Sequence, residues 1–336
     1  MPLLKGYHKE VRALLGSLTA KRLSNLFLLY GSHGLSKLLK RNLHRGKPAY
    51  LTLETTNSCN LSCPECVTGM NGLKRATSWM SAGDAAKVIA QTKAHAIVAN
   101  LYFQGEPLLN PDLFKIIAET SDAGIYSIIS TNAQNLTPEK AEQLVENGLN
   151  KIVVSMDGLT QETYAKYRVR GKLQHVLDGI ANLVEARKKY KSVFPLIEVQ
   201  FIVFRFNEHE IPEARKKVYD LGVDRFFLKT AQFYDAERAK DWMPLESRYA
   251  RYRSSDNSRI KNSAASGCKK MWTSMVVCSG GETALCCMDK NASFSPGKIQ
   301  DGSTDRIWQG HKMRQFRQRV AEGEYLSICR NCPLKG

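Results

Sequence analysis

The chain has no long apolar run near its N-terminus. The longest there, Leu26 to Tyr30, is far too short to span a bilayer, and no signal peptide with a small-residue cleavage site precedes it, so a cytoplasmic location is expected. Acidic residues are nearly absent from the first 48 positions. Glu10 stands alone there against Lys5, Lys9, Arg12, Lys21, Arg22, Lys37, Lys40, Arg41, Arg45 and Lys47, so about half of the net charge of +17 lies in that segment. Cysteine is missing from residues 67–267, and the nine cysteines form two tight groups on either side of that gap. An odd number so distributed suits metal better than a disulfide framework, which staples small secreted domains. Low-complexity tracts are absent too. With 43% apolar residues among 336, the chain can bury a large core, which excludes a disordered protein and allows one α/β domain plus an appendage.

Within residues 1–48, Val11, Leu14, Leu15 and Leu18, and later Leu35, Leu38 and Leu39, recur at helical spacing and set apolar stripes opposite basic faces. The segment reads as a basic amphipathic helical extension docked on the main domain. The same pattern fits peripheral contact with a membrane surface or another anionic partner. Nucleic acid fits poorly, because aromatics are not interleaved and no binding motif follows.

From residue 49 to 231, short β-branched or apolar runs alternate with helical patterns, the signature of repeated βα units and a parallel sheet. Strands are expected near Tyr50 to Glu54, Ala96 to Phe103, Tyr126 to Ser130, Lys151 to Ser155, Ile197 to Phe204 and Arg225 to Leu228. Helices are expected over Ser81 to Lys93, Pro111 to Ala123, Thr137 to Glu146, Leu173 to Lys189 and His209 to Leu221, with Ser81 and Thr137 as N-caps. Gly124, Gly148 and Gly222 lie just past three of them, where left-handed caps fall. Residues 232–266 break the rhythm, and the stretch from Arg253 to Ser266 reads as a linker. Residues 267–336 read as a separate small unit whose core is too thin to stand without a metal staple.

The first cysteine group, Cys59-Asn-Leu-Ser-Cys63-Pro-Glu-Cys66, follows the first expected strand and so sits at the functional edge of a βα fold. Three thiolates can ligate three irons of a 4Fe-4S cube and leave the fourth open to a small molecule. A zinc site would want a fourth protein ligand, and the nearest histidines, His44 and His95, fall outside the loop.

This spacing in this position resembles the radical S-adenosylmethionine (SAM) superfamily, over about residues 50–336. The resemblance implies a partial (β/α)6 barrel in which a cluster on Cys59, Cys63 and Cys66 cleaves SAM. A 5′-deoxyadenosyl radical then abstracts a substrate hydrogen. Gln104-Gly105-Glu106-Pro107 resembles the family's Gly-Gly-Glu-Pro turn, whose backbone and Glu meet the SAM amino group. Ser130-Thr131-Asn132-Ala133 resembles its Ser-Thr-Asn-Gly segment near the ribose, and Ser155-Met156-Asp157-Gly158 with Arg168 resembles the part that meets the carboxylate or ribose. Taken singly, Asn132 and Ser155 also suit turn and capping roles. Glu65 departs from the pattern, since the residue before the third cysteine is often aromatic and lies near the adenine. Apolar groups from Val199 to Val203 are the substitute expected there.

The second group, Cys268, Cys286, Cys287, Cys329 and Cys332 around a Gly280-Gly281 hairpin, resembles the SPASM/Twitch auxiliary-cluster domain of the same family. That likeness implies one auxiliary 4Fe-4S cluster on Cys268, Cys286, Cys329 and Cys332, with Cys287 as an alternative to Cys286 and Cys278 as a packed thiol. A structural zinc would suit the same four thiolates. A fully ligated auxiliary cluster favours electron transfer and a net oxidation, and the resemblance to the Twitch-bearing alcohol dehydrogenases of the superfamily implies a small polar substrate such as a sugar or aminocyclitol. An electron donor such as flavodoxin or ferredoxin is implied as a partner. The alternatives are a peptide-modifying enzyme that installs a thioether or carbon crosslink, and a non-enzymatic zinc-binding interaction protein.

Overall fold

The computed structural model describes residues 5–253, 260 and 268–332. Residues 254–259 and 261–267, which take in most of the stretch read as a linker, lie outside the described residues. Two helices, α1 (Lys5–Gly16) and α2 (Ala20–Leu39), precede six βα-type strands: β1 (Tyr50–Leu53), β2 (Val98–Asn100), β3 (Tyr126–Thr131), β4 (Lys151–Ser155), β5 (Leu196–Val203) and β6 (Arg225–Thr230). Between them lie α3 (Ala82–Thr92), α4 (Leu113–Asp122), α5 (Pro138–Glu146), α6 (Gln161–Tyr167), α7 (Leu173–Lys189) and α8 (Ile211–Asp220). After β6 come α9 (Ala236–Trp242), α10 (Lys270–Thr273), β7 (Ser274–Val277), β8 (Thr283–Ala284), α11 (Thr304–Trp308) and α12 (His311–Ala321).

The strands pair in the order β6-β5-β4-β3-β2-β1-β7-β8, parallel throughout except for the antiparallel β7–β8 hairpin. The architecture is therefore an α/β partial barrel that does not close. All six expected strands form, and near-continuous apolar runs such as Ile152-Val153-Val154 and Val199 to Val203 suit a sheet covered on both faces. Ser81 and Thr137 cap their helices as read, accepting from the backbone N–H groups of Asp84 and Lys140. Gly124, Gly148 and Gly222 adopt φ of +61°, +76° and +96°. β2 is shorter than expected because the chain leaves the sheet after Asn100, and Tyr102 to Gln104 turn into a cavity instead.

The C-terminal segment continues the barrel's sheet. β7 pairs with β1 along its whole length, from Tyr50 opposite Ser274 to Leu53 opposite Val277. Met271, Trp272, Met275, Val277, Leu285, Trp308 and Met313 belong to the same buried cluster as the barrel core. A segment with too little core of its own thus shares its neighbour's.

The N-terminal segment closes the seam between the two parts. Tyr126 Oη, Lys151 Nζ and Arg225 Nη2 all donate to the carboxylate of Glu10, which ties α1 to the N-terminal ends of β3, β4 and β6. His44 is buried edge-on to Trp308, with its Nε2 3.3 Å from the Trp272 carbonyl. Burial, aided by the nearby Arg317 guanidinium, pushes its pKa down to about 3. The unfolded chain therefore binds this proton first as pH falls. Stability due to His44 is complete above about pH 6.5 and declines below it, by up to about 1.4 kcal/mol per pH unit. Thermal midpoints of the parent should thus fall between about pH 6.5 and 4 more steeply than those of H44Q. Parallel curves for the two proteins would remove His44 from this role.

Candidate active site and cluster sites

The cysteine loop leaves β1 at Glu54, which is fully buried. A buried carboxylate needs compensation, and Glu54 has it from two residues. Arg75, at the far end of the same loop, donates through Nη1 and Nη2 to its two oxygens at 2.6 and 2.7 Å. The Ser279 backbone N–H and hydroxyl donate at 2.9 and 3.0 Å. Arg75 Nε also donates to the Lys290 carbonyl at 3.0 Å. One ion pair therefore fixes both ends of the loop and the C-terminal hairpin together.

The turn at 104–107 presses on the middle of that loop. Gly105 has φ +72°, and a Cβ there would lie 2.5 Å from the Thr56 carbonyl and 2.6 Å from that of Ser58, so only glycine fits. The Glu106 backbone N–H donates to the Ser58 carbonyl. Its carboxylate accepts from Thr131 Oγ1 and the Asn132 backbone N–H, each at 2.7 Å, and from the Leu108 N–H at 3.1 Å. Burial raises its pKa against these three bonds. Asn132 Nδ2 then reaches Asn60 Oδ1 at 2.7 Å and Cys59 Sγ at 3.8 Å. On the other flank, Arg168 Nε donates to Asp157 Oδ2 at 2.5 Å, and its Nη1 lies 3.8 Å from Cys63 Sγ. Burial raises the Cys63 thiol's pKa, and the Arg168 charge opposes the rise. Burial likewise pushes Cys59 up to about 11. A guanidinium and an amide beside the sulfurs favour the thiolate form that metal requires.

Cys59, Cys63, Cys66, Gln104, Gly105, Glu106, Asn132, Ser155 and Arg168 all line one cavity of about 270 Å³ at the C-terminal ends of the strands. Residues spread over more than a hundred positions are thus brought together. Glu65 also lines that cavity, but its carboxylate is held by the protein. Its carboxylate accepts from Arg238 Nη1 at 2.7 Å and the Tyr234 backbone N–H at 2.6 Å, which anchors the cysteine loop to the chain after β6. Of the expected apolar stretch, Ile202 lines the cavity, joined by Phe204 and Tyr167.

Sequence reasoning missed Lys229, Gln232, Arg251 and Lys290, which also line it. Lys229 projects from β6 and has no hydrogen-bond or ion-pair partner among the described residues. Enclosure lowers its pKa, with Arg168, Lys290 and Arg251 adding to the effect and Asp157 opposing it. Its one legible signal was a lysine at an otherwise apolar strand's C-terminal end. Gln232 and Lys290 also line an adjoining cavity of about 580 Å³, with Tyr234, Met288, Asp289 and Arg330.

Cys268, Cys286, Cys329 and Cys332 line a third, apolar pocket with Met271, Leu285, Tyr325 and Leu326. Cys287 is exposed outside it, so the geometry places Cys286 rather than Cys287 in this group. Cys278 is fully buried beside Glu54 and Arg75, and burial pushes its pKa up to about 12. Among the described residues, no three His, Cys, Asp or Glu side chains converge on a point suited to one metal ion. The cysteines instead surround cavities, an arrangement that fits a group of several atoms.

Comparison with known proteins matches residues 53–218 to the radical SAM superfamily and residues 268–333 to an iron-sulfur cluster-binding domain, SPASM. The chain belongs to the radical SAM superfamily and carries a C-terminal SPASM domain, so its cofactors are SAM, a 4Fe-4S cluster and auxiliary iron-sulfur. It is 26% identical over 192 residues to a PqqA peptide cyclase of Bradyrhizobium diazoefficiens, covering 56% of this chain and 48% of that one. The chain spans about half the length of the curated relatives it matches. Its fold is similar to BtrN in complex with AdoMet and 2-DOIA, with 17% identity, a TM-score of 0.52, and 85% and 92% of the two chains covered. It is also similar to Streptococcus suis SuiB bound to the precursor peptide SuiA, with 14% identity, a TM-score of 0.63, and 90% and 74% covered.

Removing the charge that holds the cysteine loop leaves Arg75 buried without its partner. Glu54→Gln should therefore cost about 3–5 kcal/mol in urea unfolding. A loss below about 1 kcal/mol would show that the loop is held elsewhere.

Proposed function

We propose that the chain is a radical SAM oxidase of a small, polar, anionic substrate bound between the cysteine loop and the C-terminal domain. Cys59, Cys63 and Cys66 hold the SAM-cleaving 4Fe-4S cluster. Cys268, Cys286, Cys329 and Cys332 hold one auxiliary cluster. When bound, the cofactors supply one-electron cleavage of SAM to a 5′-deoxyadenosyl radical that takes a hydrogen atom from substrate. A cluster on Cys268, Cys286, Cys329 and Cys332 would supply the acceptor for the second electron of a net oxidation, the substrate's proton being lost to solvent. Gln104, Gly105, Glu106, Asn132, Ser155 and Arg168 position SAM. Of these, Glu106 acts by locking the 104–107 turn to Asn132, and Arg168 by sitting between Asp157 and Cys63.

The observation that carries this reading is the convergence of those nine motif residues on one cavity that shares Gln232 and Lys290 with a larger one. The substrate's charge follows from the lining. Glu65, Glu106 and Asp289 are each taken up by hydrogen bonds within the protein. Lys229, Arg251, Lys290 and Arg330 face the two cavities with no carboxylate partner among the described residues. Cations so placed favour phosphate or carboxylate groups.

The names of PqqA peptide cyclase and of SuiB with its precursor peptide support a second reading, a peptide substrate. Against it stands the N-terminal segment, which forms two helices and no strand over residues 5–39 and so lacks a sheet edge for an extended peptide.

Anaerobically reconstituted protein should carry about eight irons per chain and release 5′-deoxyadenosine from SAM under reduction. C59A, C63A and C66A should each abolish that release. C329A with C332A should lower iron to about four while sparing some cleavage. Deuterium transfer from candidate substrates into 5′-deoxyadenosine would separate small molecules from peptides. Zinc at the first site, or intact cleavage in C63A, would sink the assignment.

A further inference from the structure

We propose that the outward face of α1 and α2 is a docking surface for an anionic lipid bilayer, on which the protein lies with its active site turned away. The argument begins with an inversion. α2 faces the barrel with Arg22, Asn25, Ser32, His33 and Ser36, and Leu29 is the one large apolar side chain among its buried residues. Polar bonds dominate there, beside a small apolar cluster of Leu29, Ala49 and Ile97 against which Leu14, Leu18 and Leu26 pack. Arg22 donates to the carbonyls of Ser17, Lys93, Ala123 and Gly124, and the Asn25 side chain bonds both backbone groups of Lys47.

Most of the large apolar side chains point the other way. Phe27 is 78% exposed, Leu38 77%, Leu39 55%, Leu35 54% and Leu28 53%. On α1, Tyr7, Val11 and Leu15 are exposed as well. Residues 23–36 contain no Asp, Glu, Lys or Arg. Leu23, Phe27, Gly31, Gly34 and Leu38 follow one side of the helix at three- and four-residue steps. An uncharged apolar stripe of this length on the surface of a folded chain marks an interaction site.

Charge decides which partner fits. Exposed Lys21 and Lys37 stand at the two ends of the stripe, followed by exposed Lys40, Arg41 and Arg45. Glu10, the one acidic residue of the segment, is turned inward onto Lys151 and Arg225. The face is therefore apolar at its centre and cationic at its borders, with no carboxylate of its own. Two copies of this chain brought face to face would set like charges together. A bilayer rich in anionic headgroups neutralises them while the aromatic and leucine side chains enter the acyl boundary.

No helix among the described residues is long and apolar enough to cross a membrane, so the helices lie in the interfacial plane. They also sit at the opposite end of the barrel from the cavity. Arg22 bonds carbonyls just before β2 and β3, and Glu10 bonds residues at the start of β3, β4 and β6. Docking thus leaves the mouth of the site open to water.

The test is flotation of the full-length protein with vesicles of phosphatidylglycerol and phosphatidylcholine in equal parts, against phosphatidylcholine alone. Binding should appear on the first and weaken as salt is raised. The double variant F27E/L38E should bind at least about tenfold more weakly, while its circular dichroism, thermal midpoint and 5′-deoxyadenosine release stay those of the parent. K21E/R41E should lose binding in the same way. No partition of the parent onto anionic vesicles would overturn the proposal. So would equal binding by F27E/L38E, or a parent dimer in ultracentrifugation that the same variant turns into a monomer.

Discussion

The ion pair between Glu54 and Arg75 organises the molecule around itself. It lies where the first strand ends, where the cysteine loop returns, and where the C-terminal hairpin meets the barrel. The pair is buried, so its desolvation is tolerable only because both groups are fully hydrogen-bonded. That condition makes the geometry all-or-none. The loop bearing Cys59, Cys63 and Cys66 has no regular secondary structure of its own, and its shape is set from outside. Arg75 sets it at one end, the carbonyl contacts of Gly105 and Glu106 in the middle, and the grip of Arg238 on Glu65 at the other side.

A loop held from three sides can present sulfurs without packing them away. Each cysteine of the first group keeps access to the cavity although burial raises the thiol pKa of Cys59 and Cys63. Beyond them the lining changes character, from carboxylates already engaged by the protein to cations that have no carboxylate partner among the described residues. The same fold therefore separates two tasks. Hydrogen-bonded acidic groups hold the backbone around the cysteines, and open basic groups from β6 and the C-terminal segment face whatever enters. Sharing β7 with the barrel's sheet brings Lys290 into both cavities, because that pairing carries the hairpin and the loop after it to the barrel mouth.

Much of this frame is legible in the amino-acid order. The six strands can be read from apolar runs of sheet length, and the motifs at their ends from spacing, because side chains at the C-terminal ends of parallel strands converge whatever lies between them. The role of Glu65 is not legible. Its partners, Arg238 and the Tyr234 amide, lie about 170 residues away and belong to no motif. Lys229 escapes notice because a lysine at the end of a strand looks like a solvated terminus until the cavity around it is seen. The apolar stripes of the first helices are present, but only part of them packs on the barrel: Leu14 and Leu18 do, while Val11, Leu15, Leu35, Leu38 and Leu39 are exposed. Periodicity shows that a helix has two faces and is silent on which one turns inward.

The sequence by itself determined the parallel α/β frame and, through motifs that resemble the radical SAM superfamily, the class of chemistry, since three thiols in one short loop and alternating βα patterns are local properties of the chain. Tertiary structure decided what depends on distant partners. It placed Cys286 rather than Cys287 in the second cysteine pocket, merged the C-terminal segment with the barrel core, and turned leucines outward by giving Arg22 and Asn25 better-satisfied positions inside. The physical reason is common to all three. Burial and hydrogen-bond satisfaction are settled between segments far apart in the chain, and no local pattern records which partner a side chain will meet.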